Sequence, residues 1–198
     1  TLVAFERWLE IRLIRAAHRV VSVSDPIVNQ FRQIARETSL DSRKYHTLPN
    51  GFDREDFARN DPPSCDPTRL TIVYSGLFHS STTPVHFFEA VAGLIEEGLL
   101  PGEVVRLQFL GVLSADVQVP PALAGLVECR GYVGHAEVIA ALLASDVQLL
   151  IIDGSAWGKH AYRGKVFEYL AAGRPILALV PPDGVAADLI RESHAGVV

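Results

Sequence analysis

Residues 147–198 read VQLLIIDGSAWGKHAYRGKVFEYLAAGRPILALVPPDGVAADLIRESHAGVV. The stretch opens with a run at 147–152 that is apolar on both faces, which is the pattern of a fully buried strand. A polar segment comes next, then helical spacing over 164–172 with Gly173 as its stop. A second apolar run occupies 176–180, a helical pattern 185–192, and Gly196 opens another strand. Strands without a polar face, alternating with helices, predict an α/β fold with a parallel sheet covered on both sides.

The same alternation extends upstream. Residues 70–75 read as a strand, 76–83 as a loop and 84–97 as a helix. Strands at 104–110 and 126–129 and a helix at 135–144 complete this half. Before it, residues 53–68 are polar, contain Pro62-Pro63 and show no period, so 52–68 reads as a linker. Further upstream, Val3, Leu9, Leu13 and Ile14 have helical spacing over 3–17, and 18–24 is a short β-branched strand. Ser24 or Asp25 begins a helix with Pro26 in its first turn and Ile27, Val28, Phe31 and Ile34 on its apolar stripe. Residues 44–48 read as another strand, closed by the turn Pro49-Asn50-Gly51. The chain thus divides into 1–51, a linker 52–68, and 69–198, with no internal repeat and no low-complexity tract.

Composition bounds the function. Of the 198 residues, 48% are hydrophobic, enough to fill a core. The formal net charge is -5, which excludes a broad nucleic-acid surface. No apolar run approaches the roughly 18 residues of a membrane span, and there is no signal-peptide pattern at the start. Cys65 and Cys129 form no CxxC motif and read as reduced thiols of an intracellular protein. No HxxE, HExxH or His/Cys cluster points to a metal. The chain starts at Thr1, contains no Met, and stops where a buried strand opens, so both ends read as cut from something longer. Trp8 with Arg12 and Arg15 reads as a domain-packing helix rather than a membrane contact.

An open parallel sheet binds ligands beyond the carboxyl ends of its strands, at helix N-termini. That directs attention to 76–83, 111–115, 131–135, 153–165 and 181–185. Gly164 stands where a helix begins, Lys165 adds a positive charge there, and Glu168 is one turn deeper on the same face. A cation with helix amides suits a phosphate, and a carboxylate suits a vicinal diol. On spacing alone, an ordinary surface ion pair explains Lys165 and Glu168 equally well.

Several stretches, in one order, resemble the GT-B glycosyltransferases, most similar to family 4. AAHRVVSVSDPIVNQF (16–31) is similar to the end of that family's first domain, and HTLPNGFDREDF (46–57) to the exit from it. TIVYSGLFHSSTTPVHFFEAVAGL (71–94) resembles the first strand, glycine loop and helix of the nucleotide-sugar domain. GYVGHAEVIAALLASDVQLL (131–150) resembles the base-binding turn with the next helix and strand, and 164–198 the donor site. The resemblance implies a Rossmann-like doubly wound parallel sheet, the GT-B donor domain, at 69–198, C-terminally incomplete. It makes 1–51 the remnant of a second Rossmann-like domain that holds the acceptor site.

The resemblance also assigns residues. Glu168 matches the second glutamate of the family's Glu-seven-residues-Glu motif, which holds the ribose hydroxyls. The first falls on His160, a departure at the usual contact to the donor sugar. Gly164 and Lys165 match a variant in which GK opens the helix beside the diphosphate, and Gly76 the glycine that lets backbone approach the phosphates. Members often carry Arg and Lys after that glycine; here the loop runs Leu77 to Thr83 without either, leaving His79, Ser80 and neighbouring hydroxyls as phosphate contacts. Tyr132 and Val133 match the turn against the nucleobase. Asp153, from its place after a strand, reads either as a contact to sugar hydroxyls or as an ordinary turn residue at a strand exit. The implied activity is transfer of a sugar from a nucleoside diphosphate sugar to an acceptor in polysaccharide biosynthesis, with retention, without metal or other cofactor. The fragment alone is expected to be inactive, and its catalytic residues are unassigned. The acceptor is a glycan, a lipid-linked molecule or a small molecule, and the setting is cytoplasmic, with peripheral contact to the inner membrane face through the missing part of the first domain. Two alternatives stand beside it: a degenerate, non-catalytic nucleotide-sugar-binding domain, and a nucleotide-sugar epimerase of the same fold.

Overall fold

A computed structural model of the chain describes residues 2–37, 41–58, 66–78, 82–113 and 117–198. Backbone contacts divide it into two units, residues 1–50 with 160–162 and residues 51–159 with 163–198.

In the first unit, α1 (Leu2–Ala16) is followed by β1 (Val20–Ser22), α2 (Asp25–Glu37) and β2 (Tyr45–Thr47). The two strands pair in parallel, with Val20 opposite Tyr45. Pro26 sits in the first turn of α2, where a missing N–H costs no hydrogen bond. Ile14, Val28, Ala35 and Tyr45 form a small core, with Val20 and Phe31 against it. Of the apolar positions that mark α1 in the sequence, only Ile14 is buried; Val3, Leu9 and Leu13 are exposed. Lys44 Nζ donates to the Ala17 carbonyl at 3.1 Å, a cation at the carboxyl end of α1 where the helix dipole favours it.

The second unit begins with α3 (Arg54–Ala58) and continues β3 (Leu70–Ser75), α4 (Val85–Glu96), β4 (Val105–Leu110), β5 (Val127–Cys129), α5 (His135–Ala144) and β6 (Val147–Ile151). It closes with α6 (Ala156–His160), whose last residue groups with the first unit, then α7 (Lys165–Ala172), β7 (Ile176–Leu179), α8 (Val185–Glu192) and β8 (Gly196–Val197). The six strands stand in the order β5-β4-β3-β6-β7-β8, and every pairing is parallel. Ile72, Tyr74, Leu107, Phe109, Leu149 and Ile151 project from one face onto Phe87, Phe88 and Val91 of α4. Val73 and Leu150, which alternate with them, are equally buried. Both faces being covered is why the strands carry no polar side in the sequence.

The expected strands and helices recur to within two residues at either end, and two segments differ. The stretch 52–68 is not structureless: Asp53 accepts a hydrogen bond from the Glu55 N–H at 2.9 Å, Glu55 and Asp56 fill the first turn, and α3 forms. Residues 59–65, with Pro62-Pro63 and Cys65, lie outside the described residues. The stretch 153–165 contains α6, whose Gly158 N–H donates to the Ser155 hydroxyl at 3.0 Å. Gly158 looks like a helix breaker, but a Cβ there would stand 2.1 Å from the Asp153 carbonyl oxygen, so the close approach of α6 to its own strand exit demands glycine.

A similar approach fixes the ends of β3 and β4. Gly111 has φ +146, and a Cβ on it would lie 1.9 Å from the Gly76 carbonyl oxygen. Gly111→Ala should therefore destabilise the fold by about 1–3 kcal/mol, from overpacking and left-handed strain together. Gly93, inside α4 with nothing within 4 Å, is the control. Gly93→Ala should stabilise by about 0.5–1 kcal/mol. Chemical denaturation of the two variants measures both signs.

Candidate functional site

The strand order reverses between β3 and β6, since the chain leaves β3 toward β4 and β5 and then returns to the other side. Ladder pairing between these two strands covers only Ile72–Val147 and Val73–Gln148. Beyond it, the Tyr169 hydroxyl takes the place of the next rungs. It accepts from the Ser75 N–H at 3.0 Å and donates to the Leu149 carbonyl at 3.3 Å. Tyr169 is fully buried, and burial pushes its phenol up to about 12. Lys165, one turn earlier on α7, donates from Nζ to the Ser75 carbonyl at 3.0 Å.

A cleft of about 540 Å³ opens at this carboxyl edge. Gly76, Tyr132, Val133, Asp153, Gly164, Lys165 and Glu168 all line it. Gly76 has φ +130, its N–H donates to Leu110 O at 2.8 Å, and a Cβ would come within 3.0 Å of Lys165 Nζ. The turn and the lysine thus face one another directly. Lys165 Nζ stands 4.0 Å over the Tyr74 ring, which stacks on Phe78 at 4.2 Å. Burial, with the Arg163 guanidinium beside it, pulls the Lys165 ammonium down to about 7. The first turn of α7 is tightly closed, with Val166 N–H on Arg163 O and Phe167 N–H on Gly164 O. Tyr132 is 90% exposed at the mouth, an uncovered ring face.

The carboxylates have their own partners. Asp153 Oδ2 pairs with Arg163 at 3.1 Å, and hydrogen bonds from Ser155, with Arg163 adding, hold its carboxyl below the usual range. Glu168 Oε1 lies 3.0 Å from His135 Nε2, and His135 Nδ1 lies 3.5 Å from Asp56 Oδ2. Lys165 and Glu168 therefore share a helix face without forming the surface ion pair that their spacing allows: the lysine turns to backbone and the glutamate to a histidine.

His160 does not line the cleft; it groups with the first unit, its Nδ1 3.1 Å from Gln30 Nε2. His79 and Ser80 lie outside the described residues. The buried positions of α7 are Val166, Tyr169 and Ala172, whereas Phe167 and Leu170 are half-buried. Sequence reading did not single out His135, Arg163, Tyr74 or Tyr169. Arg163 directly precedes the GK step, which is a signal; Tyr169 carries none, because its partners are on strands far away in the chain. Among the described residues, no group of three or more His, Cys, Asp and Glu could hold a metal ion, and no helix is long and apolar enough to cross a membrane.

Removing the Tyr169 hydroxyl strands a buried N–H on Ser75 and a buried carbonyl on Leu149. Tyr169→Phe should cost about 1–3 kcal/mol in denaturant unfolding. Hydrogen exchange of the Ser75 amide should accelerate more than that of Val73.

No protein-family model matches the chain, and no curated protein matches it in sequence. Solved structures do match. A UDP-forming α,α-trehalose-phosphate synthase from Burkholderia vietnamiensis superposes with a TM-score of 0.62 at 11% identity, over 85% of this chain and 48% of that one. WaaG, a glycosyltransferase involved in lipopolysaccharide biosynthesis, gives 0.60 at 18% identity, over 91% and 48%. Anabaena HepE, in complex with UDP and glucose, gives 0.57 at 12% identity, over 86% and 47%. The chain spans about half the length of each. At these identities the likeness establishes architecture alone: the six-stranded parallel sheet flanked by helices is a Rossmann-like fold shared with these glycosyltransferase structures.

Proposed function

We propose that the chain carries the donor site of a glycosyltransferase that moves a sugar from a nucleoside diphosphate sugar to an acceptor with retention of anomeric configuration. One observation carries this reading: α7 presents Lys165 and Glu168 one turn apart to a single cleft, with the Gly76 turn facing the lysine. The diphosphate lies against Gly76 and Gly164–Lys165, the ribose diol on Glu168, and the base against Tyr132 and Val133. Asp153 is the residue placed to meet sugar hydroxyls.

As the bond between the anomeric carbon and the phosphate oxygen breaks, its electron pair leaves with the diphosphate and the sugar gains oxocarbenium character. The charge developing on the diphosphate is met by the Lys165 ammonium in a partly dehydrated cleft, where a fixed cation acts strongly. In this reading the lysine supplies the charge that a metal would otherwise bring. Acceptor binding belongs to the domain of which residues 1–51 are part, as does peripheral membrane contact, in a cytoplasmic setting. The HepE structure, which holds UDP and glucose, supports a nucleotide sugar as the ligand class.

Calorimetry with UDP, GDP and dTDP and their nucleosides tests the assignment. Lys165→Ala should weaken the bound diphosphate roughly ten- to a hundred-fold and leave its nucleoside unchanged. Glu168→Gln should weaken both. Binding by neither ligand class to the intact chain would remove the donor-site reading.

The lysine also sets a pH dependence. Burial and the neighbouring Arg163 pull the Lys165 ammonium down to about 7, and a diphosphate raises that value by attraction. The affinity should be greatest below pH 7 and fall as pH rises above it, toward the bound-state value. Titration of affinity against pH should lose this fall in Lys165→Ala.

A further inference from the structure

We propose that His135 is a positioning and specificity-determining residue: it orients the Glu168 carboxylate for a ribose diol and makes the site select ribonucleotides over nucleotides that lack the diol. This rests on the donor-site reading above and goes beyond it by assigning a residue outside the motif that points to that reading.

The geometry is that of one imidazole joining several helices. His135 is the first residue of α5, Glu168 lies on α7, and Asp56 on α3. Nε2 approaches Glu168 Oε1 at 3.0 Å and Nδ1 approaches Asp56 Oδ2 at 3.5 Å. A ring with a carboxylate at each nitrogen is oriented from both sides, and the second contact fixes which nitrogen faces Glu168. Both His135 and Glu168 line the cleft. The Glu168 side chain is 27% exposed, so it is reachable by a ligand yet has lost much of the water that would otherwise stabilise it.

A carboxylate in that position has several rotamers, and a diol needs one of them. Its own helix offers the lysine at i−3 as a partner, which would swing the carboxylate toward the phosphates. Lys165 instead donates to the Ser75 carbonyl, and His135 occupies Glu168 Oε1. The carboxylate is therefore held before the ligand arrives, which removes an ordering cost from binding. Asp56 does the same for the histidine, so α3, in the segment between the first unit and the sheet, becomes part of the site.

The test pairs each ribonucleotide with its diol-free analogue. Wild-type protein should bind UDP or GDP, whichever is tighter, at least about ten-fold better than the 2′,3′-dideoxy form of the same nucleotide. His135→Ala should lose roughly ten-fold for the ribonucleotide and nothing for the dideoxy form, erasing the selectivity. His135→Gln, whose amide reaches the place of Nε2 and still donates to Glu168, should restore most of it. Asp56→Asn should give an intermediate loss. A folding defect would weaken both nucleotides together and would not be rescued by glutamine. Retained selectivity in His135→Ala, or an equal loss for both ligands in a variant whose circular dichroism matches wild type, overturns the proposal. If wild-type protein binds none of UDP, GDP and dTDP, the donor-site reading itself falls and takes the proposal with it; if it binds dTDP alone, or binds UDP or GDP with the selectivity of His135→Ala unchanged, the donor site stands and the role of His135 is overturned.

Discussion

The site depends on how Ser75 is held at the end of β3. A parallel sheet whose strand order reverses must let neighbouring strands part at the reversal, and parted strands leave backbone groups without rungs. Here the N–H of Ser75 goes to the Tyr169 hydroxyl and its carbonyl to Lys165 Nζ, so one helix supplies both missing partners from positions four apart. The tyrosine is wholly interior and the lysine stands at the cleft. Structural support and a cation lining the cleft are therefore carried by successive turns of α7, and neither can be repositioned without the other.

The same arrangement leaves the cleft short of negative charge where it matters. Asp153 is engaged by Arg163 and Glu168 by His135, so the lysine's contacts are a carbonyl and an aromatic face. An ammonium in that setting is poorly compensated, which is the physical content of its lowered proton affinity. On the proposed donor-site reading, a diphosphate completes the coordination that the protein withholds. The glycine turn opposite has no fixed charge in its described part, so the lysine is the natural centre of any anion bound there.

Much of the fold was legible because burial on both faces leaves a direct mark on sequence: runs such as Val147 to Ile152 have no polar side, and the helices between them carry clear stripes. The two missed helices have local signatures of a different kind. Asp53 and Ser155 are both N-cap residues, and each was hidden by its surroundings, the first by a proline-rich polar segment and the second by Gly158. The GK step and Glu168 were readable because helical spacing alone puts them on one face. Their partners were not. Whether Lys165 turns to Glu168 or to Ser75 depends on where β3 ends in space, and His135 meets Glu168 only because α5 and α7 lie side by side. Contacts across the sheet are set by topology, which spacing along the chain does not encode.

The pairings that make the cleft are long in sequence. Ser75 and Tyr169 are separated by 94 positions and Ser75 and Lys165 by 90, whereas β3 and β4 pair across a much shorter stretch. Closing so long a loop carries an entropy cost before any contact rewards it, and non-local contacts slow folding for that reason. The half of the sheet built from β3, β4 and β5 can therefore assemble early, and the switch point closes only when α7 docks on the end of β3. The cleft is in this sense built from contacts that only a largely assembled domain brings together, so its geometry is a property of the whole sheet and not of any one strand–helix unit.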